Sequence, residues 1–362
     1  MSHKIKVGIT HGDINGIGYE TILKALEDPA VTELFTPVVY GSAKIAAGYR
    51  KQLEMQEPHL QQVASAAEAQ EGQCSIINVV GEDVRPEPGV ASKDAGQAAF
   101  AALEAAVADL RAGTIDAMVT APIDKASIQS EEFRFPGHTE YLESATAENG
   151  ERALMILCND YMRVALVTTH LPLSQVPAAI TKEEILSKLT VFNQSLRRDF
   201  GIGQPRIAVL ALNPHAGDTG LLGTEETEII APAIAEARER KIMAFGPYAA
   251  DGFFGAGRFV KFDGILAMYH DQGLAPFKAL VMDQGYNFTA GLPVVRTSPD
   301  HGTGYDIAGR GEASPESMRA AIYAAIDIVR NRRAYDEAHR SPLRKQYRDK
   351  EADKDNVKLD LT

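Results

Sequence analysis

Residues 5–18 read Ile5-Lys6-Val7-Gly8-Ile9-Thr10-His11-Gly12-Asp13-Ile14-Asn15-Gly16-Ile17-Gly18, and this stretch decides the fold. Ile5–Thr10 is a largely apolar run of strand length. It passes into a glycine-rich turn, and such a turn between a strand and a helix opens an α/β unit. The glycine spacing matches neither G-x-G-x-x-G nor G-x-x-x-x-G-K-[ST]. The next apolar run ends in Gly41-Ser42, not in the acidic residue that would hold a ribose. A standard Rossmann fold is therefore disfavoured. Bare backbone N–H groups in the turn can approach an anion, although an inward Asp13 would repel a phosphate. The other reading is a tight turn in which Asn15 and the glycines supply positive φ.

Further strand candidates follow at Pro37–Gly41, Ser75–Val80, Ala117–Thr120, Val164–Thr168, Ile207–Leu212 and Ile265–Met268. Several are continuously apolar, as strands covered on both faces are. Between them, Ser92–Gly113, Ile185–Phe200 and Glu225–Arg240 carry helical patterns, the first with Ser92 as an N-cap. This alternation predicts α/β layers around a mostly parallel sheet. Ala46–Gln73 is rich in Gln, Glu and Ala and reads as surface helices with no strand. The charged tail Ser341–Thr362 reads as a frayed helix or disorder. No Pro/Gly/Ser linker divides the chain, so a second domain is expected as an inserted lobe.

Composition narrows the function. The 362 residues carry 37 Lys plus Arg against 49 Asp plus Glu, a net charge of −12. Phosphate neutralisation needs a basic stripe, which disfavours nucleic acid as the main partner. Two cysteines, Cys74 and Cys158, make no disulfide framework and fit a reducing compartment. The opening MSHKIKVGIT has no apolar signal region, and no run reaches the roughly 18 apolar residues of a membrane span. An acidic, soluble, cytoplasmic enzyme is the expectation.

Nine histidines are present, of which His3, His59 and His339 stand in polar contexts. His138 follows Pro136-Gly137. His170, His215 and His270 each stand just beyond the carboxyl end of a strand candidate. In open α/β sheets ligands bind outside those ends. Three imidazoles arriving there can converge on one metal and leave positions open for substrate. For any one of them a hydrogen-bonding histidine is the plainer reading; their shared placement favours a metal or catalytic cluster. After His270, the residues Lys278, Asn287 and Arg296 punctuate an apolar stretch. Arg and Lys beside a strand-end cleft suit a carboxylate or phosphate, though Lys278 alone reads equally as a solvated lysine. The loop Asp300-His301-Gly302-Thr303 through Asp306 and Arg310 offers an imidazole, N–H groups and a hydroxyl to a nucleotide. It reads alternatively as the approach to a helix capped by Ser314.

Taken in order, Gly137-His138-Thr139-Glu140, Thr169-His170, Leu212-Asn213-Pro214-His215-Ala216-Gly217, Ala267 through Leu274, Gly291-Leu292-Pro293 to Ser298, and Asp300-His301-Gly302-Thr303 resemble the 4-hydroxythreonine-4-phosphate dehydrogenase family. The likeness runs from about Lys4 to Arg333. His301-Gly302-Thr303 with Asp306-Ile307-Ala308-Gly309 also looks like the nucleotide loop of isocitrate and isopropylmalate dehydrogenases.

The resemblance implies a two-lobed α/β/α sandwich of that type and a homodimer with the active site at the subunit interface. Lobe one would be residues 1–125 plus 260–340 and lobe two residues 126–259, followed by a tail at 341–362. It implies NAD held by His301, Gly302, Thr303 and Asp306. One divalent ion (zinc, cobalt, magnesium or manganese) would be held by His170, His215 and His270, shared across the dimer. His138, Thr139, Lys278, Asn287 and Arg296 would bind the substrate. The implied reaction oxidises 4-phosphooxy-L-threonine to a 3-keto acid that decarboxylates to 3-amino-2-oxopropyl phosphate, with Lys278, Asp271 and Asp251 as candidate bases. Sister activities on D-threonate or D-erythronate 4-phosphate are the nearest alternative. A metal-dependent phosphatase or a non-catalytic sensor of phosphorylated ligands is more distant.

Overall fold

The computed structural model describes residues 4–280 and 284–341. Twelve strands among these residues, β1 (Lys6–Thr10), β2 (Thr36–Gly41), β3 (Leu60–Val63), β4 (Cys74–Asn78), β5 (Ala117–Thr120), β6 (Leu154–Cys158), β7 (Arg163–Leu166), β8 (Arg206–Leu210), β9 (Met243–Tyr248), β10 (Gly264–Ala267), β11 (Tyr286–Ala290) and β12 (Arg296–Pro299), form one sheet. Their order is β3-β4-β2-β1-β5-β12-β11-β6-β7-β10-β8-β9. The α/β expectation holds, and the order is not that of two mononucleotide-binding halves.

The sheet is mixed. The strands from β3 to β12 form one parallel block, and β7, β10, β8 and β9 form another. Antiparallel β11 and β6 join the blocks. Successive residues of one strand fall into different apolar clusters: Val39 and Val119 pack on one face, Val38 and Met118 on the other. Both faces are therefore covered, which explains the unbroken apolar runs. The helix Lys93–Arg111 covers one block, its first turn closed by the Ser92 hydroxyl accepting from Ala95 N.

Four expectations are corrected. Ala46–Gln73 contains a strand: Leu60–Val63 pairs in parallel with β4 at the sheet edge, where one short row of partners suffices without apolar alternation. Asn15 does not take a positive φ; in that turn only Gly12 does, at 69°. The long helix Glu316–His339 is preceded by Pro315 as its cap residue rather than Ser314, whose hydroxyl reaches Glu316 N at 3.4 Å. The expected boundary at residue 260 cuts the second parallel block, since Gly264–Ala267 hydrogen-bonds to both β7 and β8. The tail expectation lies outside the described residues, except for Ser341.

Candidate active site

The backbone at the carboxyl ends of the second parallel block positions part of the site. Beyond β7, Val167 N donates to Ala267 O at 2.9 Å, and Thr168 donates to Met268 O through both its N and its hydroxyl. These bonds lash the carboxyl ends of β7 and β10 together, so the rings of His170 and His270 stand 6.1 Å apart, centroid to centroid. Gln272 fastens the same corner to β8, accepting from Met268 N at 2.7 Å and donating to Ala211 O at 2.6 Å. Gly273 lets the helix His270–Leu280 lie on the sheet; a Cβ there would stand 2.8 Å from Val164 Cγ1.

A cavity of about 470 Å³ opens beside these rings. Its walls include His138, Thr139, His170, His270, Lys278, Asn287, Arg296, His301 and Gly302. The sequence therefore picked out residues that the fold does bring together. Arg296, on β12, is 5% exposed. Its guanidinium donates to the Thr120 hydroxyl (2.6 and 3.0 Å) and the Thr289 hydroxyl (3.1 Å). No carboxylate pairs with it among the described residues. Burial pushes its pKa down to about 10, against the Glu140 charge. A buried cation without a counter-ion is costly, so this wall is arranged for an anion that arrives with a ligand.

His138 opens the helix His138–Thr146, where free backbone N–H groups favour negative charge. Burial, then the Arg296 and Lys125 charges, holds its pKa well below the ordinary histidine value. Burial and Lys125 lower His170 too. Both imidazoles are neutral near pH 7. Lys278 Nζ lies 3.3 Å from Asp300 Oδ1, and burial raises the Asp300 carboxyl above its usual range despite that ammonium. Asn287 Oδ1 and His301 Nε2 are buried without a hydrogen-bond partner among the described residues.

The remaining candidates stand elsewhere. Thr303 docks its carbonyl on the first turn, accepting from Ile17 N at 2.9 Å, and Asp306 is exposed on the following turn. Asp251, on the helix Ala250–Gly255, is exposed and outside the cavity. Asp271 faces solvent and accepts from His270 Nδ1 at 2.7 Å, the kind of carboxylate that orients a ligating imidazole. His215 does not line the cavity. It begins a run, His215–Thr219, in which every residue is left-handed, with φ of 52°, 53°, 78°, 42° and 57°. Only Gly217 takes that conformation freely; the others each cost about 1–2 kcal/mol.

Asp13 is buried under the first turn, accepting from Asn15 N and from the Tyr305 hydroxyl. Its carboxylate has a structural partner on each oxygen, which leaves the turn unsuited to a phosphate.

Sequence reasoning passed over Thr120, Thr289, Lys125, Gln272 and Glu226. Thr120 and Lys125 were detectable, since Thr120-Ala121-Pro122 closes an expected strand. Gln272 and Glu226 act on backbone groups, and nothing in their spacing marks them.

The model of the family "Pyridoxal phosphate biosynthetic protein PdxA" matches residues 33–325. The chain belongs to the PdxA family. A 4-hydroxythreonine-4-phosphate dehydrogenase of Bacteroides thetaiotaomicron is 58% identical over 99% of this chain and 98% of its own. One from Sulfurihydrogenibium sp. is 42% identical over 91% of this chain and all of its own. A crystal structure of the Klebsiella pneumoniae 4-hydroxythreonine-4-phosphate dehydrogenase superposes with a TM-score of 0.77 at 36% identity, covering 90% of this chain and 98% of that one. This PdxA-family chain is thus an oxidoreductase of pyridoxal phosphate biosynthesis. No helix among its described residues is long and apolar enough to cross a membrane.

Within one chain, no group of three or more His, Cys, Asp or Glu side chains among the described residues could hold a metal ion. In kind, the donors fit a divalent cation. Two imidazoles face one another, and one of them has its Nδ1 held by a carboxylate, leaving Nε2 for a metal.

Proposed function

We propose that this PdxA-family chain oxidises 4-phosphooxy-L-threonine at its 3-hydroxyl with NAD, and that the 3-keto acid loses carbon dioxide to give 3-amino-2-oxopropyl phosphate. The observation that carries this reading is Arg296: a buried guanidinium, bonded only to threonine hydroxyls, in the wall of a cavity that also holds Lys278 and His138. Such a wall suits a small, multiply charged anion. We assign the phosphate and carboxylate ends to Arg296, Lys278, Asn287, His138 and Thr139, with Lys125, which has no ion-pair partner among the described residues, as a further cation on the rim.

Of the three candidate bases only Lys278 lines the cavity. With Asp300 beside it, the Lys278 ammonium can pass one proton to that carboxylate and take up the hydroxyl proton during oxidation. It then gives that proton to the carbon that loses its carboxylate and recovers its own from Asp300. The bond broken in that second stage is the one to the carboxyl carbon, and its electron pair passes into the new carbonyl. When bound, a divalent metal would supply Lewis-acid polarisation and NAD the two-electron oxidant.

His170, His215 and His270 would hold the metal, shared between two copies of the chain, since one copy gathers only two of these rings. His301 and Gly302 on the cavity rim, with Thr303 and Asp306 beyond, would receive the nucleotide. The two parallel blocks of the sheet would be the two lobes around the cleft. We read the enzyme as cytoplasmic, where its unbonded cysteines Cys74 and Cys158 suit a reducing compartment.

The test is NAD reduction with 4-phosphooxy-L-threonine, D-threonate 4-phosphate and D-erythronate 4-phosphate, each with zinc, cobalt, manganese or magnesium. The first substrate should give the highest kcat/KM. Preference for a sister acid would move the substrate and keep the chemistry. Phosphate release without growth of the reduced nicotinamide absorbance would overturn the reading in favour of a phosphatase, and binding without turnover in favour of a sensor.

A further inference from the structure

The loop that carries His215 takes a conformation that L-residues avoid, and one buried carboxylate grips the two residues that lead into it. Glu226, 2% exposed, opens the turn Glu226–Ile230. Its Oε1 accepts from Leu212 N at 2.8 Å and Asn213 N at 2.7 Å, and its Oε2 accepts from Asn213 Nδ2 at 3.1 Å. Gly217, in the middle of the left-handed run, lies against the same group; a Cβ there would stand 2.7 Å from Glu226 Oε2. The loop then closes on itself, Leu222 N donating to Gly217 O at 3.0 Å. No cation pairs with Glu226 among the described residues. Its three hydrogen bonds all go to the two residues that precede Pro214 and His215. A buried carboxylate placed this way fixes where the chain leaves β8 and how it turns into the left-handed run.

We propose that Glu226 is the positioning residue for His215, holding Leu212–Asn213 so that the imidazole is presented to the metal in one orientation. The proposal rests on the reading of His215 as a ligand. Its test uses the full chain with Glu226→Gln, Glu226→Ala and, for reference, His215→Ala. Two quantities are measured: amide hydrogen exchange along residues 212–223, and calorimetric affinity for cobalt(II) alone.

Both Glu226 variants should exchange faster in that segment while the rest of the sheet keeps its parental protection. Cobalt affinity should fall about 10–100-fold in Glu226→Ala and less in Glu226→Gln, which retains one acceptor oxygen. His215→Ala should lose the affinity without faster exchange. Parental exchange and parental affinity in the Glu226 variants would overturn the proposal. Parental affinity in His215→Ala would overturn the ligand reading instead, and the exchange result would then decide by itself whether Glu226 holds the loop. Should Glu226→Ala fail to fold, the isosteric Glu226→Gln supplies both readouts.

Discussion

The Tyr305 hydroxyl donates to Asp13 Oδ2 at 2.8 Å, joining the His-Gly-Thr loop to the first turn of the chain. The same contact is reinforced where Ile17 N donates to Thr303 O and where Gly16 leaves no room for a Cβ beneath that carbonyl. The acidic first turn is thus a seat for the loop we assign to the nucleotide. Tyr305→Phe removes one partner of a buried carboxylate and should destabilise the fold by about 1–3 kcal/mol. Because it loosens the loop, it should also raise the KM for NAD more than it changes kcat. Urea unfolding and NAD titration check the two effects separately.

Arg296 is expected to be intolerant of lysine. Its fork is spread over two threonine hydroxyls on neighbouring strands, and a lysine ammonium cannot reproduce that planar arrangement. Arg296→Lys should lower kcat/KM for the phosphorylated acid by at least about tenfold, the loss of one charge-assisted hydrogen bond. Thr120→Val should produce a smaller loss in the same direction, with NAD binding unchanged in both. Steady-state kinetics with each substrate varied in turn would show the split.

His11 is buried against the Tyr19 ring, 5.2 Å away and nearly parallel, and burial lowers its pKa from 6.5 to about 4. Above pH 6.5 the ring is neutral in both folded and unfolded chains and adds no pH dependence. As pH falls from 6.5 towards 4 only the unfolded chain takes up the proton, so stability drops with pH across that window. The loss should approach about 3 kcal/mol at the acid end. His11→Phe, which keeps a stacking ring and cannot titrate, should flatten this part of the curve of unfolding free energy against pH.

Lys278→Ala and Asp300→Asn probe the proton-handling pair. Removing the lysine should lower kcat by about a hundredfold or more, the range of a lost acid–base group. Asp300→Asn should do less to the maximal rate and shift the pH profile of kcat, since it leaves the ammonium without its carboxylate neighbour. Equal, pH-independent losses in both would indicate that the pair only binds substrate.

Much of the fold is legible in the amino-acid sequence. Runs such as Val7–Thr10 and Ala117–Thr120 are apolar because both faces of the sheet are covered, and they announced themselves as strands. β11 and β12 did not, because Asn287, Arg296, Thr297 and Ser298 are polar residues serving the cavity wall or buried hydrogen bonds, and polarity masks strand character. Leu60–Val63 escaped because an edge strand of two glutamines between two apolar residues has no pattern to detect. His138, His170 and His270 stood out because strand ends and helix starts are where an α/β sheet presents its chemistry, and Arg296 stood out as a cation interrupting an apolar stretch. The left-handed path of His215–Thr219 was not legible: one glycine in Pro-His-Ala-Gly-Asp-Thr gives no sign that four other residues share its conformation. Glu226, which holds Leu212 and Asn213 just before that run, lies outside the loop in sequence.

The central claim is that His170, His215 and His270 complete one metal site drawn from two copies of the chain. Co-expression of His215→Ala with His270→Ala tests it most directly. Each variant alone should be inactive, and the mixed dimer should regain one intact site, so that the co-expressed pair recovers about a quarter of parental NAD reduction under random pairing of symmetric dimers. No recovery, with mixed dimers demonstrated by mass, would contradict the account.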